Sequence, residues 1–171
     1  ICQKWFRFSM TSTWVSRCQG VALSLLAVGI IGFMILGVSG AVTALGDTLF
    51  KAIRMSEARA LGITHWLLPL RIFHPLIAIV VGSYLILAAG FVALRRPGLA
   101  TRRLAAALIT LTLVQLGGGY LNVYLRAPVW LQGVHLLLAD LVWIALVLFC
   151  TSALSAEPAR ALAGKEVQPV H

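Results

Sequence analysis

Charged residues are scarce in this chain. Only 11% of its 171 residues are charged, whereas 60% are hydrophobic. The mean hydropathy of +0.95 and this apolar share exceed those of ordinary soluble domains. The composition therefore excludes a soluble globular protein and predicts an all-α integral membrane protein.

The sequence also lacks the motifs of several kinds of chemistry. Its three cysteines, Cys2, Cys18 and Cys150, have no CxxC or metal-ligand spacing. No Ser-His-Asp arrangement, phosphate-binding glycine loop or paired carboxylate is present. Nucleophilic, nucleotide-phosphate and paired-acid catalysis therefore have no support in the sequence.

Acidic residues are few, at five against fourteen basic residues, which gives a net charge of +9. A basic chain can indicate nucleic-acid binding, but these charges lie between hydrophobic segments and form no basic face on a soluble domain. The positive-inside rule and attraction to anionic lipids explain them better. We therefore expect a lipid bilayer as partner and no nucleic acid.

Four long apolar segments predict a bundle of four transmembrane helices, because a span needs about 20 apolar residues. The segment between the second and third spans carries four arginines, which predicts that it is cytoplasmic. Both termini would then be cytoplasmic, in a multi-pass protein of the cell (plasma or inner) membrane. The predicted order is an interfacial segment 1–20, a membrane domain 21–153 with spans 21–45, 71–94, 104–125 and 130–153, and a flexible tail 154–171.

Polar residues interrupt the third span along one side. Gln115, Gly118, Gly119 and Asn122 have the i, i+3, i+4, i+7 spacing of a single helical face. Polar groups are expensive in hydrocarbon, and small residues allow close packing. We call these four residues the polar stripe and expect it to face protein or a cofactor.

Two histidines fall at matched depth. His74 lies a few residues after the outer loop 46–70, and His135 lies seven residues after Pro128, so both would occupy the outer third of the membrane. A four-helix bundle can bring their helices face to face. Two imidazoles without a nearby carboxylate or thiolate suit bis-histidine heme ligation. Zinc fits less well because it needs further ligands, and the remaining alternative is that each histidine bonds a neighbouring helix.

Four further residues near this pair have predicted roles. Arg71 and Arg126 flank the predicted site and could either pair with heme propionates or anchor the helices at the interface. Gly82 shares a helical face with His74 and would leave room for a flat ligand. Asp140 does not share the face of His135, and the sequence suggests that it either accepts a hydrogen bond from a neighbouring helix or is protonated.

These residues resemble a known family, the heme A synthases. Segments 40–50 and 74–76 are similar to the earlier helices of one half of those proteins. The resemblance to the last two helices rests on Gln115, Gly118, Asn122, Val123, Pro128, His135, Leu136 and Ala139.

Family members are eight-helix proteins made of two four-helix halves. They oxidise a methyl group of heme O to the formyl group of heme A for cytochrome oxidase assembly. The resemblance implies that this chain corresponds to the C-terminal half, in which heme b is held by two histidines that match His74 and His135.

The chain departs from that pattern because it has one half only, and loop 46–70 contains no cysteine pair. Either the chain is part of a longer enzyme, which the non-methionine residue Ile1 favours, or two copies rebuild the two-half architecture. The resemblance implies heme O as substrate and a separate electron donor. The alternative functions are a non-enzymatic bis-histidine cytochrome for electron transfer or heme handling, and a scaffold without a cofactor.

Overall fold

Four long helices form the part of the chain that the computed structural model describes. This part comprises the backbone of residues 2–50, 62, 67–95 and 98–155, with side chains in 20–46, 72–95 and 98–155. Each helix contains a stretch long and apolar enough to cross a membrane, so the four predicted spans of a multi-pass protein are confirmed, whereas the orientation stays a prediction. The helices are α1 (Cys2–Phe50), α2 (Leu67–Arg95), α3 (Leu99–Tyr124) and α4 (Val129–Ser155).

Helix α1 is longer than the span predicted from the sequence. It begins at Cys2 and includes the segment 1–20, whose interfacial position stays a prediction. Its membrane-spanning stretch, Gly20–Gly46, agrees with the predicted span 21–45 to within one residue at each end. Residues 2–50 contain no proline, and a single glycine such as Gly20 costs a helix only about 1 kcal/mol. The local sequence therefore provides no stop signal between the two predicted segments.

Helix α3 also begins earlier than predicted, inside the arginine-rich segment. Gly98 precedes it with extended dihedral angles (φ −66°, ψ 137°). Thr101 is 1% exposed, and its Oγ1 lies 3.0 Å from Ser152 Oγ on α4. This hydrogen bond allows a hydroxyl to lie inside the bundle, because a buried polar group is costly only when unpaired.

Helix α2 begins four residues before its predicted start, so Pro75 lies within the helix instead of near its first turn. A proline has no N–H to donate to the carbonyl four residues earlier, which here belongs to Arg71. The predicted tail is helical to Ser155, and residues 156–171 lie outside the described part.

The helices form a ring in chain order. Each packs against the next, and α1 also contacts α4, whereas the pairs α1–α3 and α2–α4 scarcely touch. Helices α2 and α4 are therefore diagonal partners across the bundle. His74 and His135 belong to this diagonal pair.

The hydrophobic core occupies one end of the bundle, where α2 ends and α3 begins. Towards the middle, the rings of Phe33 and Trp143 stack with centroids 5.6 Å apart. The opposite end carries the histidines and the polar stripe. The core consists of Leu26, Leu85, Ala89, Val92, Ala105, Leu108, Val142, Ala145, Leu146, Phe149, Cys150 and Ala153.

A tight turn joins α3 to α4. The N–H of Ala127 donates to the carbonyl of Asn122 at 2.7 Å and that of Arg126 donates to Val123 at 3.3 Å, which is the bonding pattern of a Schellman motif. Arg126 (φ 59°) and Ala127 (φ 54°) both have left-handed dihedral angles, although glycine is usual at the first position. Gln132 Nε2 donates to the Ala127 carbonyl and fixes the turn to the first residues of α4.

Candidate functional site

His74 on α2 is held by a serine on α1. His74 Nδ1 lies 2.9 Å from Ser39 Oγ, and the same hydroxyl donates its only proton to the carbonyl of Leu36 at 2.8 Å. Both contacts are satisfied together only if Nδ1–H donates to Ser39 Oγ. The hydrogen bonds therefore assign the proton to Nδ1 and leave the lone pair of His74 on Nε2.

Gly40 lies against the same imidazole. A Cβ atom at this position would be 3.1 Å from His74 Cε1 and 3.6 Å from Nδ1. The shorter distance is a tight contact, so an alanine here would require a small shift of the ring. Ser39 was missed as a site residue by sequence reasoning, and its one signal is a hydroxyl beside a glycine in an otherwise apolar span.

His135 on α4 is held by the polar stripe of α3. Gln115 Nε2 donates to the backbone carbonyl of His135 at 3.1 Å and lies 3.3 Å from Nε2 of its ring. A carbonyl oxygen can only accept, so the amide nitrogen must face it, and the ring nitrogen beside that amide must then accept as well. His135 therefore also carries its proton on Nδ1 and its lone pair on Nε2.

Two glycines of the stripe form the wall beside this ring. A Cβ atom at Gly119 would lie 3.2 Å from His135 Cε1, and one at Gly118 would lie 3.7 Å from Nδ1. Gly117, between Gln115 and these two residues, has open space instead. The glycine side of α3 thus faces the imidazole as its periodicity predicted, and Gly119 approaches the ring more closely than Gly118.

Within the described part of the chain, three buried polar atoms at the site have no hydrogen-bond partner. They are Gln115 Oε1, Asn122 Oδ1 and His135 Nδ1. Buried polar atoms in folded proteins are nearly always paired, so each exception requires an explanation. Unpaired polar atoms beside a glycine wall fit a site whose hydrogen bonds are completed by a bound group.

The two imidazoles lie on the diagonal helices α2 and α4. Their hydrogen bonds leave each ring with a lone pair on Nε2. The described residues contain no group of three or more His, Cys, Asp or Glu side chains that could hold a metal ion. The donor set in this part of the chain is therefore a pair of nitrogens, which suits an iron already held by four porphyrin nitrogens better than zinc.

Some predicted residues lie elsewhere. The Arg126 side chain is exposed at the α3–α4 turn, and the Arg71 side chain lies outside the described residues. Gly82 leaves no room for a ligand, because Leu116 covers it and a Cβ there would be 3.0 Å from Leu116 Cδ1. Asp140 is exposed on the outer surface of α4, so it does not bond a neighbouring helix of the bundle.

The fold and site together define a helical multi-pass membrane protein with one histidine on each of two diagonal helices. Residues 8–147 match the family model of the cytochrome oxidase assembly proteins named COX15-CtaA. The chain belongs to this family, which is that of the heme A synthases, and the predicted resemblance is confirmed.

Curated relatives in two strains of Thermus thermophilus are each 43% identical to the chain over 173 residues. Both are named protoheme IX farnesyltransferase. The match covers 95% of this chain but 28% of each relative, so the chain spans little more than a quarter of their length. No solved structure matches the chain.

Proposed function

We propose that this chain binds heme b between His74 and His135, as the heme b-binding half of a heme A synthase. The observation that carries the proposal is the pair of imidazoles on diagonal helices, each with its Nε2 lone pair free of a proton. The glycine wall beside the ring of His135 supports a flat bound group at the same place.

The proposal assigns a role to each predicted residue of the site. His74 and His135 are the axial ligands of the iron through Nε2. Gln115, Gly118 and Asn122 form the wall beside the porphyrin, and Arg71 and Arg126 pair with its propionates, since guanidinium and carboxylate groups form strong bidentate hydrogen bonds. A bound heme b supplies one-electron transfer.

The proposed reaction is the oxidation of the heme O methyl group to the formyl group of heme A. With dioxygen as the oxidant, each of two successive hydroxylations of the methyl group takes two electrons and two protons from outside and releases one water. The resulting diol loses a further water to give the formyl group, so an electron carrier held within the membrane suits the reaction. The name of the Thermus relatives says that they act on protoheme IX by farnesyl transfer, which supports a farnesylated heme as the substrate here. We further propose that turnover requires a second half, supplied by the same polypeptide or by another copy, and an electron donor.

The heme site is tested by the optical spectrum of the purified chain. We expect the spectrum of a six-coordinate, low-spin b-type heme, and we expect His74→Ala and His135→Ala each to abolish the six-coordinate form. His171→Ala, at the last residue of the chain, is the matched histidine control. If the six-coordinate spectrum survives in both site variants, the assignment is wrong.

Enzymatic activity requires a separate test. Pigments extracted from cells that express the complete gene should contain heme A, and cells with His74→Ala or His135→Ala should accumulate heme O instead. Heme b binding without any heme A would favour the alternative, a non-enzymatic bis-histidine cytochrome.

The location is also a proposal: the plasma or inner membrane, with both termini cytoplasmic. The four arginines of segment 95–103 support it. Reporter fusions after Ser155 should report a cytoplasmic position, and a reporter found on the outer side would reverse the topology.

A further inference from the structure

The two histidines are held by different kinds of contact. The Nδ1–H of His74 donates to Ser39, so the hydrogen bond lies on the side of the ring away from the lone pair. Gln115 contacts His135 at Nε2 itself, on the lone-pair side, and the Nδ1 of His135 is unpartnered. Sequence alone would treat the two ligands as equivalent, but their surroundings differ.

This difference decides what each histidine must do to bind iron. His74 can ligate through Nε2 while its bond to Ser39 stays intact. His135 can ligate through Nε2 only after the amide of Gln115 gives up that nitrogen. His74 is thus positioned to ligate iron, whereas the ligating nitrogen of His135 is occupied by the amide of Gln115.

We propose that Ser39 is a positioning residue that makes His74 the first and more tightly held axial ligand of the heme iron, with His135 joining second. This inference rests on the proposed heme site. It adds the order in which the two histidines bind iron and says which of them binds more tightly. Ser39 touches neither iron nor substrate and acts through the ring of His74.

The hydrogen bond should also affect the iron. A ligating imidazole whose other nitrogen donates to an oxygen is fixed in orientation and becomes more basic. A more basic ligand stabilises ferric over ferrous iron, so the Ser39 contact should lower the reduction potential. Losing such an outer contact typically weakens metal binding roughly 10- to 100-fold.

The chain provides a control for the purely structural role of a helix serine. Ser24, also on α1, donates to the carbonyl of Val21 at 3.0 Å, as Ser39 does to Leu36. Ser24 is exposed, and this bond lies within its own helix. If heme binding weakens only because the serine-to-backbone bond is removed, Ser39→Ala and Ser24→Ala should therefore weaken it equally.

The experiment compares Ser39→Ala, Ser39→Thr and Ser24→Ala in the heme-loaded full chain. We expect Ser39→Ala to release heme to an excess of apomyoglobin about tenfold faster and to have a higher reduction potential than the wild type. Ser39→Thr keeps the hydroxyl and should restore both properties towards wild type. Ser24→Ala should match the wild type in both.

The order of ligation has its own readout. His135→Ala should retain heme as a five-coordinate, high-spin species bound to His74, whereas His74→Ala should retain much less. Equal heme retention in these two variants, or identical release rates and potentials for Ser39→Ala and Ser24→Ala, would overturn the inference and leave the heme site itself standing. A wild-type chain that binds no heme would instead overturn the proposed function.

Discussion

Gln115 contacts His135 at two points, with its amide nitrogen 3.1 Å from the backbone oxygen and 3.3 Å from the ring Nε2. The contact joins α3 to α4 and covers the nitrogen that would ligate iron. One NH₂ group makes both contacts, so the bond to the backbone holds the amide beside the ring nitrogen.

The first prediction concerns the contact between the Gln115 amide and Nε2 of His135. Gln115→Leu should speed the step in which a five-coordinate heme becomes six-coordinate, because Nε2 of His135 is then free from the start. Stopped-flow absorbance after mixing heme with the heme-free chain measures that step. Gln132→Leu, which removes a glutamine bond at the nearby turn without touching an imidazole, is the control. An unchanged rate in Gln115→Leu would show that the amide is no obstacle.

The second prediction concerns the glycines beside the rings. Gly40→Ala and Gly119→Ala should each lower heme affinity severalfold, because the added methyl group would lie 3.1 Å and 3.2 Å from an imidazole carbon and the ring must shift to make room. Heme titration followed in the Soret band measures the affinity.

Each of these variants has a neighbour for comparison. Gly37 and Gly117 lie on the same two helices, and a Cβ atom at either position would meet nothing within 4 Å. Gly37→Ala and Gly117→Ala should therefore bind heme like the wild type. A loss of the same size in all four variants would point to a general effect of glycine in these helices instead of to contact with the rings.

The third prediction concerns the α3–α4 turn. Ala127→Gly should stabilise the chain by about 1 kcal/mol, since a left-handed conformation costs a residue with a side chain roughly 1–2 kcal/mol and a glycine far less. Unfolding by sodium dodecyl sulfate in mixed micelles, followed by circular dichroism, measures the change. Ala127→Val should shift the transition in the opposite direction, and stabilisation by valine would contradict the explanation.

The fourth prediction concerns Asp140, which lies on the outer surface of α4 near the middle of its span and has no partner among the described residues. Asp140→Leu should make the chain more resistant to unfolding by sodium dodecyl sulfate, because a polar side chain on a surface that faces hydrocarbon is expensive. Unfolding in mixed micelles followed by circular dichroism measures the change, and Asp140→Asn, which keeps a polar group at this position, is the control. Equal stability of Asp140→Leu and the wild type would mean that this carboxyl does not face the hydrophobic phase.

The sequence predicted the parts of the site that depend on local periodicity. The spacing of Gln115, Gly118 and Gly119 places them on one face, and their contacts with His135 involve consecutive helices joined by a four-residue turn. Polar groups on a membrane helix almost always face the interior of the bundle because lipid cannot bond to them, so the face on which they lie indicates which side of the helix points inward.

The contact between Ser39 and His74 could not be predicted in this way. The residues are 35 positions apart, and their meeting depends on how far α1 is displaced along its axis relative to α2. The extent of α1 beyond its span could not be predicted from hydropathy either, because hydrophobicity marks where a helix crosses lipid and not where its hydrogen bonding ends. The prediction for Gly82 failed because periodicity gives a face but not the neighbour, which is Leu116.

The separation of the apolar core from the histidine end has a consequence for how such a protein can change. Substitutions around His74 and His135 leave the packing of Leu108, Leu146 and Phe149 untouched, so the ligand end can vary while the bundle still assembles. The four-helix bundle can in this way bind a different pigment, change its reduction potential or lose one iron ligand while it keeps its fold.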